Sequence, residues 1–368
     1  MKYNHGERII ESPSGETLLD SDFPRDEKIL NLQDIERSNV KTTDEISTGE
    51  VFTSEISISE VSTGEESVGE VSAGEMSDDE TEERPHDLYK GKIKKDESTK
   101  PIKIYNNKCK YYFIEKYDKD ANLVLDIGSG RGSDIMYMAQ FGVKNLIGIE
   151  PSINSIGIAI KTSISHKEKV KVNYINAVGN RLWINGSAGE IEEAKKYLVS
   201  KFKHNVHANV IHLFWTIHYM IDTERDFLNL FHNIKTNIIK GSRVIILFMD
   251  GMRIHQEFVK NSGVISVVND EKELVFELRA KYPYTNKEFK VFGNKMSVYL
   301  SGTYGLQNTI EENLVIPDIL IKFFERNGFK QHEKINFLDI YPNDVLNLKQ
   351  YQKDVIGYYT GLVFEYGT

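Results

Sequence analysis

Three glycines at alternate positions, Gly128, Gly130 and Gly132, follow directly on the apolar run Leu123 to Ile127. A helix-compatible stretch, Asp134 to Phe141, comes next, and a second apolar run, Asn145 to Ile149, ends in the acid Glu150. That order predicts strand, glycine turn, helix, strand, acid, the first half of a nucleotide-binding βαβ unit. Glycines let the backbone approach a ligand closely, and a carboxylate at the next strand end accepts hydrogen bonds from both hydroxyls of a ribose. The turn alone does not distinguish one adenosine-containing ligand from another, and glycines at these positions also serve tight strand-to-helix packing.

The pattern continues beyond Glu150. Residues Ile153 to Ile164 read as a helix, Val170 to Ile175 as a strand, Glu190 to Phe202 as an amphipathic helix and Val210 to Trp215 as a strand. A helix over Glu224 to Ile239 and a strand over Val244 to Met249 follow. From about Leu274 to Tyr366 the strands look antiparallel, with a helix near Ile319 to Asn327. Strands near Phe337–Ile340 and Gly361–Phe364 are expected to complete the same sheet. The fold class is therefore α/β: a Rossmann-like, doubly wound, mostly parallel sheet with antiparallel C-terminal strands.

The first part of the chain follows a different rule. Glutamate recurs at 45, 50, 55, 60, 65, 70, 75 and 80. A period of five matches neither a helix face near 3.6 nor strand alternation at 2, so no apolar face forms. With few aromatics and many Ser, Gly and Glu residues, too little surface is buried to offset ordering entropy. Residues 1–86 are accordingly read as a disordered acidic region, either a slipped low-complexity repeat or a regulatory tail. Residues 87–101 form a basic linker, and 102–368 the folded domain. The net charge of −9 therefore says little about local partners, because lysines crowd residues 90 to 110. A single cysteine, Cys109, excludes an internal disulfide, and no run of eighteen apolar residues or leader-like stretch is present. These features suggest an intracellular protein, cytoplasmic or nuclear, with no membrane partner. The Lys-, Asn- and Ile-rich composition is compatible with the AT-rich genome of a large DNA virus.

Ligands of open α/β sheets sit beyond the carboxyl ends of the strands, near the switch in strand order. The glycine turn, Glu150 and the segment Phe214-Trp215-Thr216-Ile217-His218-Tyr219 all fall at such ends.

Several groups of residues together resemble the mRNA cap guanine-N7 methyltransferases. Ile104 to Lys110 is similar to that family's paired-asparagine segment, and Asp126 to Asp134 to its methyl-donor turn. Phe214 to Tyr219 is similar to its aromatic–His–Tyr segment, and Ile310 to Val315 to its Glu-x-Leu-Val strand. Asn336 to Tyr341 and Asp354 to Tyr359 match its closing segments. The resemblance spans about residues 102–366. It implies S-adenosylmethionine as cofactor, with Lys110 at the methionine carboxylate, Gly128 and Gly130 in the turn, Glu150 on the ribose, and Phe214 and Tyr219 bordering the donor. For the cap it implies Glu312 on the guanine N1 and N2 edge, His218 and Tyr359 shaping that pocket, and Asn106, Asn107 and Arg131 reaching ribose and phosphates. No catalytic base and no metal are implied. The partner implied is a capped RNA 5′ end, with other capping enzymes or an activating subunit beside it.

Each assignment has a plainer alternative. Asn106 and Asn107 would also suit the cap of a helix beginning near Lys108. Strand register decides whether Tyr358 or Tyr359 faces the site. Two positions depart from the family pattern. Val178 stands near the usual acid on the adenine side, for which Asn176, Asn180 or a backbone group could substitute. Phe214 stands where a Gln is usual before the aromatic Trp215. A methyltransferase acting elsewhere, on another RNA position or a small molecule, and a catalytically degenerate cap-binding subunit are the other readings.

Overall fold

The computed structural model describes residues 10–11, 17–18, 97–181, 183, 207–285, 289–302 and 309–367. Apart from a two-residue antiparallel pairing of Ile10–Glu11 with Thr17–Leu18, the region expected to be disordered lies outside the described residues, as does the helix expected over Glu190 to Phe202.

The folded part begins with helix α1 (Lys100–Tyr117). Its start is marked by Pro101 in the first turn, a position where the missing N–H costs nothing. The boundary expected at 102 thus falls inside α1, and Asn106 and Asn107 lie in the helix interior rather than at a cap. Seven strands form the main sheet: β1 (Leu123–Ile127), β2 (Asn145–Glu150), β3 (Lys171–Asn176), β4 (Ala208–Phe214), β5 (Ile238–Met249), β10 (Phe329–Asn336) and β11 (Tyr359–Tyr366). Their order is β10–β11–β5–β4–β1–β2–β3. The five strands from β3 to β5 run parallel, and β11 and β10 join antiparallel. Every residue of β1 is buried, as suits a central parallel strand covered on both faces.

Short helices α2 (Ile135–Gln140) and α3 (Ile153–Ile164) connect β1 to β2 and β2 to β3. The chain then returns past β1 to β4, so strand order reverses between β1 and β4. Helix α4 (Glu224–Thr236) stops short of the expected Ile239, because Asn237 turns its side chain back onto Asn233 O at 2.8 Å. Ile238 then opens β5, which is twice as long as the apolar run suggested.

Most of the antiparallel strands expected after Leu274 form a separate second sheet, with the order β9–β8–β7–β6. Its strands are β6 (Val264–Val268), β7 (Leu274–Ala280), β8 (Lys295–Leu300) and β9 (Ile310–Asn313). Helix α5 (Gly251–Lys260), capped by Asp250 onto the N–H groups of Met252 and Arg253, leads into it from β5. The backbone at Val315, just after β9, returns to the end of β5: Gly251 N–H donates to Val315 O at 2.8 Å. A Cβ at Gly251 would lie 2.6 Å from that oxygen, so only glycine permits the approach.

One expected strand is a helix. Phe337–Ile340 forms α7, while the strand lies just before it, in β10. Asn336 caps α7 by accepting from Leu338 N–H at 3.0 Å. The Phe337 carbonyl accepts from Tyr105 Oη at 3.0 Å, which ties α7 to α1. Helices α6 (Pro317–Arg326), α8 (Pro342–Val345) and α9 (Gln350–Ile356) complete the chain. No helix among the described residues is long and apolar enough to cross a membrane.

Glu333 on β10 holds the last turns of α1. Its carboxylate accepts from Tyr112 Oη at 2.9 Å, Lys116 Nζ at 2.9 Å and Tyr117 Oη at 2.5 Å. Partial burial opposes the charge, but these donors outweigh it and keep the carboxyl below its ordinary value. Its contribution to stability is therefore present above the unfolded carboxyl pKa and lost as pH falls through the lower folded value. Glu333→Ala is expected to lower unfolding free energy by about 1–3 kcal/mol at neutral pH, measured by urea denaturation.

Candidate functional site

Two cavities of similar size open side by side at the carboxyl end of the main sheet. The first, about 350 Å³, lies over the ends of β1, β2 and β4, where strand order reverses. The second, about 360 Å³, lies between α1, the β4 end and the second sheet. Trp215 and Tyr219 line both. These two side chains are therefore a shared boundary of the cavities.

The glycine turn builds the floor of the first cavity. Gly128 has φ +83°, and a Cβ there would lie 2.2 Å from Thr216 Cγ2. Thr216 is itself anchored, donating from Oγ1 to Ile127 O at 2.9 Å. Glu150, buried at the β2 end, accepts from Gly130 N–H on one oxygen and from Ser152 N–H on the other, both at 2.9 Å. Each oxygen keeps a further lone pair for an incoming hydroxyl. Lys110 projects from α1, ion-paired with Asp134, with its ammonium 5.1 Å from the centre of the Trp215 ring. Asp126, buried beneath the turn, is pushed up to about 7 by burial, with His212 pulling the other way. Phe214 lines the wall, as do Val178 and Asn180. Asn176 is committed elsewhere, donating to the Glu150 and Pro151 carbonyls at 3.2 and 2.8 Å.

Lys103, Asn106 and Asn107 line the second cavity from α1. Together with Lys110 they recur at helical spacing (i, i+3, i+4, i+7), so one face of α1 serves both cavities. Glu312 enters from β9, where it pairs with Met296 of β8. It is 4% exposed and Oε2 has no hydrogen-bond partner among the described residues. Burial pushes this carboxyl up to about 8, against the pull of the Tyr219 hydroxyl at 3.4 Å. His218 Nε2 is 3.5 Å from Glu312 Oε1, yet burial drives the imidazole down to about 3. Burial thus favours the neutral form of both groups. Asn313 Nδ2 donates to His218 O at 3.0 Å and locks β9 to the turn that carries His218 and Tyr219.

Register places Tyr359 opposite Met249 at the start of β11, and both line the second cavity. Its neighbour Tyr358 points away, stacking on Phe276 with centroids 6.0 Å apart. Met249, Val298 and Leu300 supply an apolar floor. Trp215 holds a left-handed backbone, φ +53°, unusual for so bulky a residue and an instance of strain at a ligand wall.

The structure brings Lys110, Gly128, Gly130, Glu150, Phe214 and Tyr219 to the first cavity, and Asn106, Asn107, His218, Glu312 and Tyr359 to the second. Tyr219 belongs to both. Arg131 lines the first cavity only and is exposed. Lys103, Asp134 and Trp215 were assigned no role from the sequence. Helical spacing from Asn106 and Lys110 was the available signal for Lys103, and adjacency to the glycine turn for Asp134.

The mRNA (guanine-N(7))-methyltransferase domain matches over residues 83–358. A probable mRNA-capping enzyme of Acanthamoeba polyphaga mimivirus is 28% identical over 262 residues, covering 65% of this chain and 22% of that protein. The mRNA cap guanine-N(7) methyltransferase of Saccharomyces cerevisiae is 38% identical over 60 residues, covering 16% of this chain and 14% of that protein. The chain thus spans about a fifth of the viral relative. Among solved structures, a putative S-adenosylmethionine-dependent methyltransferase from Listeria monocytogenes aligns with a TM-score of 0.47 at 12% identity, covering 73% of this chain and 99% of that one. The domain match extends over the glycine turn and the strand carrying Glu312, three quarters of the chain, and the chain belongs to the mRNA (guanine-N(7))-methyltransferase domain family.

Proposed function

We propose that this chain transfers a methyl group from S-adenosylmethionine to N7 of the guanine that caps an RNA 5′ end. The observation that carries the reading is the pair of cavities meeting at Trp215 and Tyr219, one floored by a glycine turn, the other closed by a buried carboxyl.

The first cavity fits the donor. Its glycine cradle, which a Cβ at Gly128 would fill, admits a ligand close to the backbone. Glu150 retains acceptor capacity for ribose hydroxyls, and the Lys110–Asp134 pair offers one charge each to the carboxylate and ammonium of an amino-acid end. When bound, the donor supplies an electrophilic sulfonium methyl group.

The second cavity fits guanine. The N1–H and N2 amino edge offers only donors, and Glu312 presents an oxygen, Oε2, with no hydrogen-bond partner among the described residues. Binding that edge favours the carboxylate form, so Glu312 releases a proton as guanine enters. His218 and Tyr359 flank the carboxyl and exclude water from it. Asn106 and Asn107, which line this cavity from α1, offer amide groups to the ribose and phosphates, while Arg131, at the first cavity, is a fork-shaped donor for phosphate oxygens.

Guanine N7 carries a lone pair and no proton, so the residues need not remove one. Their work is alignment: Trp215 and Tyr219 keep the two ligands apart except where N7 faces the methyl carbon, and Glu312, ionised as it binds guanine, contributes to the field around the reacting atoms. The first test is transfer of labelled methyl to Gppp-capped and uncapped RNA, with nuclease digestion of the product. Label in 7-methylguanosine from capped RNA alone is the expected result. Label at another atom, or on uncapped RNA, would displace the cap from this reading.

A further inference from the structure

A buried ionisable pair stands behind the wall of the first cavity. Asp118, which closes α1, and His212, in the middle of β4, are both 0% exposed. Asp118 Oδ1 and His212 Nε2 are 3.0 Å apart. Neither group is otherwise satisfied: Asp118 Oδ2 and His212 Nδ1 have no hydrogen-bond partner among the described residues. Burial opposes charge on the imidazole, but Asp118, with Asp126 and Asp134 behind it, outweighs burial and holds His212 above its ordinary value.

Such a pair is a poor way to stabilise a core. Well-packed apolar residues of similar volume are often as good or better, and each orphaned polar atom adds a desolvation cost. Its geometry points to another use. Side chains two apart on a strand share a face, so His212 lies beside Phe214. The imidazole and phenyl planes are 18° from parallel with centroids 4.2 Å apart. Phe214 in turn lines the first cavity.

We propose that His212, oriented by Asp118, is a positioning residue for donor binding: its ring is the platform that holds Phe214 flat at the cavity wall. The inference rests on the reading of the first cavity as the donor site. It also gives a reason for Phe214 at a position where a polar side chain was expected, since the wall is built by stacking rather than by a hydrogen bond.

The test measures donor and acceptor binding separately, by titration calorimetry with S-adenosylmethionine and with GpppA, beside urea unfolding of each variant. His212→Gln keeps a hydrogen bond to Asp118 but removes the ring; an aromatic stack worth about 1 kcal/mol predicts a roughly fivefold rise in the donor Kd, with GpppA affinity unchanged. His212→Phe combined with Asp118→Leu restores a ring and removes the buried pair together; it is expected to recover the wild-type donor Kd. An unchanged donor Kd in His212→Gln overturns the proposal, as does an equal loss of both ligands, which marks a general structural defect. Should His212→Gln not fold, the double variant and Phe214→Ala decide. Wild-type donor affinity in the former with a clear loss in the latter supports the platform, and any other combination removes it. A wild-type chain that binds GpppA but no S-adenosylmethionine would instead refute the donor-site reading, and the platform with it.

Discussion

Glu312→Gln is expected to abolish cap methylation while making the protein more stable at alkaline pH. Glutamine has nearly the same shape, but half of its head group is a donor facing the donor edge of guanine. A site built around hydrogen bonds to a ligand loses heavily when one is replaced by a repulsive contact, so kcat/KM for capped RNA should fall by about 10²- to 10⁴-fold. S-adenosylmethionine affinity should be nearly unchanged, because Glu312 lines only the second cavity.

The stability change follows from linkage. Burial raises the Glu312 carboxyl to about 8 in the folded chain, from an ordinary value of 4.5. Between those two values the native state binds more protons than the unfolded state, so stability falls as pH rises across that window. Above about 8 the full cost is present, and glutamine removes it; the gain should be on the order of a few kcal/mol and should vanish near pH 4. Urea unfolding of both proteins at pH 4.5 and 8.5 measures it. A variant no more stable at the higher pH would mean that Glu312 is not held in the neutral form by the folded chain. The same proton makes cap affinity rise with pH up to about 8, which calorimetry with GpppA would detect as proton release into the buffer.

The second large effect is expected at Gly128. An alanine there must hold φ +83° and bring its methyl to 2.2 Å from Thr216 Cγ2. Thr216 cannot rotate away freely, since its hydroxyl is bonded to Ile127 O, and Gly128 N–H is tied to Ile149 O at 2.7 Å. Left-handed backbone and overpacking together predict a loss of about 2–4 kcal/mol in unfolding free energy, and at least a tenfold weaker donor Kd as the turn shifts. Thr216→Ser removes the clashing methyl and keeps the hydroxyl. Added to Gly128→Ala, it should recover part of the loss; a strictly additive double variant would show that the contact is not the cause.

The parts of this protein that were legible before folding are those written in short-range patterns. The β1–turn–α2–β2 unit followed from one apolar run, three glycines and a terminal acid, and α3 spans Ile153–Ile164 as its spacing suggested. Periodicity failed where a capping contact outweighed it. Phe337–Ile340 carries apolar residues in a strand-like order, yet the Asn336 cap and the bond from Tyr105 on α1 to the Phe337 carbonyl hold it helical. Helix α5, though capped by Asp250, buries only a narrow stripe, and β6 buries one residue of five, so neither carries a strong apolar signature.

The sequence by itself determined the glycine turn, the acid that follows it and the run of motifs whose order marks the family, since each depends only on neighbours along the chain. Tertiary structure alone decided that one face of α1 serves both cavities, that Tyr359 rather than Tyr358 faces the second, and that Trp215 and Tyr219 divide them. It also raised the Glu312 carboxyl above its ordinary value, because a carboxyl's pKa depends on what surrounds it, and its surroundings come from the turn after β4 and from β8, β9 and β11, segments far apart in the chain.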